Sequence, residues 1–165
     1  SLNKNKLTSG KGFTNLPKLE DLSLQENEIV NFEGMADMPS LKKLNLNGNK
    51  IESLATLPFF ETLTELTLDG NPIANAKELE SLSILPCLTD LNMNGCAIAE
   101  EKGDDFRKEV IIAIGEEAVL QKINGEPITD EERQEAKALK EERILEAMNK
   151  PPAEEGAEEP AEGEE

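Results

Sequence analysis

Leu19-Glu20-Asp21-Leu22-Ser23-Leu24-Gln25-Glu26-Asn27-Glu28-Ile29 is a sentence the chain repeats. The frame returns as Leu41/Leu44/Leu46/Asn49/Ile51, as Leu63/Leu66/Leu68/Asn71/Ile73 and as Leu88/Leu91/Met93/Cys96/Ile98, and a fragment of it, Leu2-x-x-Asn5-x-Leu7, opens the chain. Successive ladder positions, from Asn5 onward, lie 22, 22, 22 and then 25 residues apart. Such a period marks stacked coils, each giving one short strand and one returning segment. Within a coil, Leu22 and Leu24 fall on one face of the strand and Asp21 and Ser23 on the other. One coil cannot fold alone, because ordering its backbone costs more entropy than six buried aliphatics return, so stacking supplies the stability. The asparagine stands where the chain turns off the strand, and its amide can satisfy backbone groups within and between coils. Asn5, Asn27, Asn49, Asn71 and, in the last copy, Cys96 therefore read as a structural ladder without a catalytic role.

This pattern resembles the leucine-rich repeats of the intracellular, 22-residue subclass. The resemblance implies an α/β repeat fold: a solenoid with a concave parallel β-sheet, short convex helices or turns, and a C-terminal helical cap. Four full coils and the partial first one occupy residues 1–98. Leu16-Pro17-x-Leu19, Met38-Pro39-x-Leu41 and Leu85-Pro86-x-Leu88 form a second rhythm, in which proline ends a returning segment and launches the next strand. Leu79, Leu82 and Leu85 sit on helical spacing, which predicts a genuine convex helix from Ala76 to Leu85 in the longer last repeat. The chain starts in mid-repeat with no polar cap ahead of Leu2, so it reads as the C-terminal portion of a longer protein.

The segment 99–128 reads as a cap. An acidic turn, Glu100 to Asp105, precedes Phe106 to Ile114, whose Phe106, Val110 and Ile114 recur at helical spacing and can close the last coil. Leu120 and Ile123 then form an extended end piece before a turn at Asn124-Gly125. Residues 129–149 predict an acidic amphipathic helix, opened by a capping box in which Thr129 is the N-cap and Glu132 the return partner. Its apolar residues are few: Ala136, Leu139, Ile144, Leu145 and Met148. Two readings stand side by side, a solvated helix packed partly on the cap and a docking helix whose Leu139, Ile144, Leu145 and Met148 meet a partner. Residues 150–165 form a Glu-rich tail; from Pro151 it holds seven Glu, three Pro and no basic residue, a composition that predicts disorder.

Composition narrows the function. The 165 residues include no Trp, Tyr or His, and five Phe are the only aromatics, so the core is almost wholly aliphatic. Without histidine the commonest general base and metal ligand is missing, and Gly10-Lys11-Gly12 lacks the spacing and the Ser/Thr of a phosphate loop. The acidic runs lack the alternating oxygen pattern of a calcium loop. No enzyme, cofactor or metal is expected. Cys87 follows a proline in a buried-looking run and Cys96 takes a ladder position, so both read as reduced packing residues. No stretch has the length of a membrane span, and no signal-peptide pattern opens the chain. Residues 1–100 carry eight Lys/Arg against 14 Asp/Glu, and residues 101–165 carry nine against 21, for a net charge of −18 overall. That balance disfavours nucleic acid and anionic membranes and leaves basic protein surfaces open.

Protein binding is the remaining class. Strand alternation places three columns on the concave face: Asp21, Lys43, Glu65, Asp90; Ser23, Asn45, Thr67, Asn92; and Gln25, Asn47, Asp69, Asn94. They are small, polar and mildly acidic, without the Tyr, Trp or Arg that usually anchor interfaces, so a bare solvated sheet competes with a binding surface. Phe106-Arg107-Lys108-Glu109-Val110 and Glu131-Glu132-Arg133-Gln134-Glu135-Ala136 resemble, in the same order, the cap and acidic helix of the ciliary radial-spoke leucine-rich-repeat family. That resemblance implies a cytoplasmic, non-enzymatic scaffold in the axoneme of a cilium or flagellum, with other axonemal subunits as partners. The chain departs from the usual cap pattern in lacking its proline. The acidic tail also resembles, in sign, the acidic nuclear phosphoprotein family, and the 22-residue period is shared with nuclear phosphatase-regulating repeat proteins; these imply a nuclear regulator that binds histones or a Ser/Thr phosphatase.

Overall fold

The computed structural model describes residues 1–150; the expected disorder of the Glu-rich tail lies outside the described residues. Strands β1 (Asp21–Ser23), β2 (Lys43–Asn45), β3 (Glu65–Thr67) and β4 (Asp90–Asn92) line up in chain order in one parallel sheet. The register is that of the repeat: Leu22, Leu44, Leu66 and Leu91 stand opposite one another. These leucines and the Leu24, Leu46, Leu68 and Met93 row are buried, forming a core that runs the length of the stack. Parallel strands a coil apart need a covered crossover, and the returning segments supply it, their Phe32, Met35, Leu54, Phe60, Leu79 and Leu82 packing beneath the sheet.

The ladder asparagines do what their position requires. Asn49 donates from Nδ2 to Leu46 O at 2.8 Å in its own coil and to Leu24 O at 3.0 Å in the coil before, while its Oδ1 accepts from Ile29 N at 3.1 Å. Asn71 repeats the set with Leu68, Leu46 and Ile51. Cys96 keeps one of these contacts, its thiol meeting Leu68 O at 3.0 Å, but sulfur offers Ile73 N–H only a weak acceptor.

The convex segment of the last repeat is a 3₁₀ helix over Ala76–Ile84, which corrects the expectation of an ordinary convex helix. The spacing permits either form, and packing on the stack selects this one. Leu79, Leu82 and Leu85 recur every three residues, and only a helix of three residues per turn brings all three onto one line against the core. Asn75 opens this helix by accepting from Lys77 N, and Glu78 reaches back to Ser53 Oγ and Leu54 N of the preceding coil at 2.8 and 2.7 Å.

The acidic segment after Ile98 is also more regular than a turn. Helix α1 (Ala97–Lys102) and a short 3₁₀ turn (Gly103–Asp105) lead into α2 (Phe106–Ile114), whose Phe106, Val110 and Ile111 close the end of the core. Strand β5 (Lys122–Ile123) adds to β4 in parallel, and β6 (Glu126–Pro127) folds back on it across Asn124-Gly125, both with positive φ. Helix α3 (Asp130–Asn149) then packs on α2 behind a complete capping box, with Thr129 Oγ1 accepting from Glu132 N at 3.1 Å and Glu132 accepting from Thr129 N at 2.9 Å. Cys87 is exposed rather than buried: it stands at the repeat position of Lys18, Ser40 and Thr62, which the turn after each proline points outward.

Candidate functional site

The concave residues occupy the open face of the sheet, where their own neighbours engage them. Lys43 sits in register between Asp21 and Glu65 and forms an ion pair with Glu65 at 3.1 Å. Asp90 pairs with Lys122 of β5 at 3.7 Å and accepts from Thr89 Oγ1. In the third column, Asn47 Oδ1 accepts from Asp69 N at 2.9 Å and Asp69 Oδ1 from Asn94 N at 2.8 Å, each side chain tying its coil to the next. Ser23 and the backbone of Gln25 both donate to Asn3. Between Asn45 and Asn92, Thr67 is buried, and its hydroxyl has no partner among the described residues. These columns are brought together in one sheet, but much of their polar capacity is spent within it.

Charges of opposite sign follow the same period on the flanks. Lys4–Glu26, Glu20–Lys42 and Glu28–Lys50 are ion pairs at 3.2 to 3.8 Å, every one between residues 22 apart. Sequence reasoning missed these pairs, although opposite charges at exactly the repeat spacing were the signal. Being exposed, they contribute little each.

The C-terminal helix is fastened to the cap by charge. Arg107 of α2 binds both carboxylate oxygens of Glu132 and donates to Ile123 O and Pro127 O at 2.7 and 2.9 Å, so one guanidinium joins α2, the β5–β6 hairpin and the start of α3. The Arg107 contact, with help from the Thr129 backbone, holds the Glu132 carboxyl down to about 2, against the desolvation that opposes it. Arg133 donates to Leu120 O; Lys108 pairs with Glu135 at 3.0 Å; and Arg143 forks onto the buried Glu109 at 2.6 and 3.1 Å, lowering the pKa of that carboxyl. Only Ala136 of α3 is buried. Of the predicted docking residues, Leu139 is half-buried, whereas Ile144, Leu145 and Met148 are 50%, 60% and 77% exposed. The structure thus separates the four: Leu139 is half-buried and the other three are exposed on the turns after Arg143, which still reaches α2.

Among the described residues no His/Cys/Asp/Glu cluster could hold a metal ion, and no helix is long and apolar enough to cross a membrane. Burial pushes the Cys96 thiol up to about 11, which keeps it protonated in its packing role.

A family model for the leucine rich repeat matches residues 1–51. No curated protein matches the chain in sequence. Among solved structures, the chain is similar to one from the crystal structure of the Drosophila melanogaster SNF/U2A' complex, with a TM-score of 0.69 at 17% identity over 87% of this chain and 86% of that one. The repeat frame, the asparagine ladder, the parallel sheet and that likeness agree: the chain folds as a leucine-rich-repeat solenoid closed by a helical cap.

Proposed function

We propose that the chain is a non-enzymatic scaffold that holds a protein partner, and that the partner docks on the outer half of α3. One observation carries this reading: Ile144, Leu145 and Met148 stand exposed on the stretch of α3 from Glu141 to Asn149, where every residue is exposed, while Lys43 with Glu65 and Asn47 with Asp69 on the concave face are engaged with one another. Three apolar side chains on two turns of helix form the anchor of a helix-in-groove contact. Glu141, Glu142 and Glu146 surround them, so the partner groove is apolar with a basic rim.

The finer assignment, to an axonemal assembly of the radial spoke, is supported by the likeness of Phe106–Val110 and of Glu131–Ala136 to leucine-rich-repeat-containing protein 23. On this proposal the chain works in the cytoplasm of a cilium or flagellum. Opposed to it is a nuclear regulator of histones or of a Ser/Thr phosphatase, favoured by the net charge of −18 and routed through the Glu-rich tail. Capture from a ciliated-cell extract at moderate salt, with mass-spectrometric identification, tests both. The proposal expects spoke proteins on the parent chain and on a chain lacking residues 151–165, and their loss from the triple variant Ile144→Gln/Leu145→Gln/Met148→Gln. Recovery of histones or a phosphatase, abolished by removing the tail, would replace it with the nuclear reading.

A further inference from the structure

A second surface lies where the returning segments enter the strands. The residue two before the proline position of each repeat forms a column of Asn15, Asp37, Phe59 and Ile84, and the proline position itself forms a column of Pro17, Pro39, Glu61 and Pro86. Phe60, next in sequence, is buried in the core at 2% exposure, so Phe59 is left outside at 65%. Packing requires nothing aromatic at Phe59: the same position accepts Asn and Asp in the two coils before it.

Phe59 forms one wall of an open groove of about 400 Å³ that is also lined by Asn15, Pro17, Asp37, Pro39 and Glu61. Asp37 is held in a left-handed conformation, φ 54°, while its carbonyl accepts from Leu16 N of the coil before, which fixes the backbone that carries its carboxylate. Asp37 and Glu61 make no ion pair among the described residues, and no lysine or arginine lines the groove. Glu20, Glu26, Glu28 and Glu65 elsewhere on the solenoid each meet a lysine instead.

We infer that this groove binds an arginine-bearing segment of a partner protein. The guanidinium lies on the ring of Phe59, its edge meets the carboxylates of Asp37 and Glu61, and the flanking prolines give the peptide an apolar floor. An aromatic face attracts a cation, and a planar guanidinium satisfies stacking and paired carboxylates at once, which an ammonium cannot. Charge complementarity selects the occupant: two unpaired anions beside an exposed ring, in a chain of net charge −18, suit a basic segment and disfavour an acidic one. The surface is separate from the outer half of α3, so one chain can hold two proteins at once.

The test uses the full chain and the blocked peptide Gly-Arg-Pro-Arg-Gly, followed by titration calorimetry and by NMR shift mapping. Saturable binding is expected, with shifts concentrated on residues 37–39 and 59–61, weaker binding of the Gly-Lys-Pro-Lys-Gly peptide, and a loss of about tenfold for Phe59→Ala. Asp37→Asn/Glu61→Gln should also weaken binding and flatten its salt dependence, whereas Glu100→Gln/Asp104→Asn, on the acidic cap, should leave it unchanged. Phe59 is exposed, so an unaltered circular dichroism spectrum is expected for its variant. Binding that survives Phe59→Ala, or shifts spread over α1 and α3 in proportion to their acidity, would reduce the contact to general charge attraction and overturn the inference.

Discussion

At the scale of the residue, the ladder position shows how one side chain can serve two coils. Asn71 is 1% exposed and gives its two amide protons and its oxygen to three backbone groups. Asn71→Ala would leave the buried Ile51 N–H without its acceptor and take one donor each from Leu46 O and Leu68 O, which keep Asn49 Nδ2 and Cys96 Sγ, and a loss of about 1–3 kcal/mol is expected by urea unfolding. Cys96 is the reverse experiment, already made in the sequence: the thiol reaches Leu68 O but offers Ile73 N–H no amide oxygen. Cys96→Asn should therefore raise stability by about 1 kcal/mol in the same assay, and a drop of that size would mean that the pocket has been shaped to sulfur. The ladder was legible residue by residue because its spacing equals the repeat. Cys87 was not, because hydrophobic neighbours say nothing about which side of a turn a residue faces.

Among the elements, α3 is the one held by polar contacts. Its capping box, start and end agree with what Thr129 and Glu132 predict, yet the sequence could not show that the same Glu132 is also the hinge pin for Arg107, 25 residues earlier. Glu132 has a folded-state pKa of about 2, below the ordinary carboxylate value of 4.5, so the unfolded chain takes up the proton first as pH falls. The stability it contributes is therefore complete above about pH 4.5 and disappears between there and about 2. Urea unfolding of the parent against Glu132→Gln should show a gap at pH 7 that narrows through this window; a gap independent of pH would assign the effect to packing. Arg107→Ala should speed amide exchange throughout α3 while leaving the strands protected, since Ala136 is the only buried residue of that helix. The 3₁₀ segment Ala76–Ile84 makes a related point. Leucines at a spacing of three satisfy both a loose helical pattern and a 3₁₀ line, and the stack beneath them decides which is used.

Across the whole molecule, repetition made the architecture readable, and lack of repetition hid the sites. Strand placement, inward leucines, outward columns and the cap helix at Phe106–Ile114 all follow from periods visible in the chain. What the concave face does with its polar groups depends on distances between coils, and there the side chains of Lys43, Glu65, Asn47 and Asp69 turn toward one another. The exposure of Phe59 and the free stretch of α3 likewise depend on where neighbouring coils and the cap end. Part of the concave face is thus tied within the sheet, while exposed apolar side chains stand at Phe59 and at Ile144, Leu145 and Met148. The most direct measurement is the hydrogen-exchange footprint of the partner recovered with spoke proteins, recorded on the full chain. The account predicts new protection over residues 139–149 with the strand peptides unchanged; protection confined to residues 21–25, 43–47, 65–69 and 90–94, with α3 still exchanging freely, would contradict it.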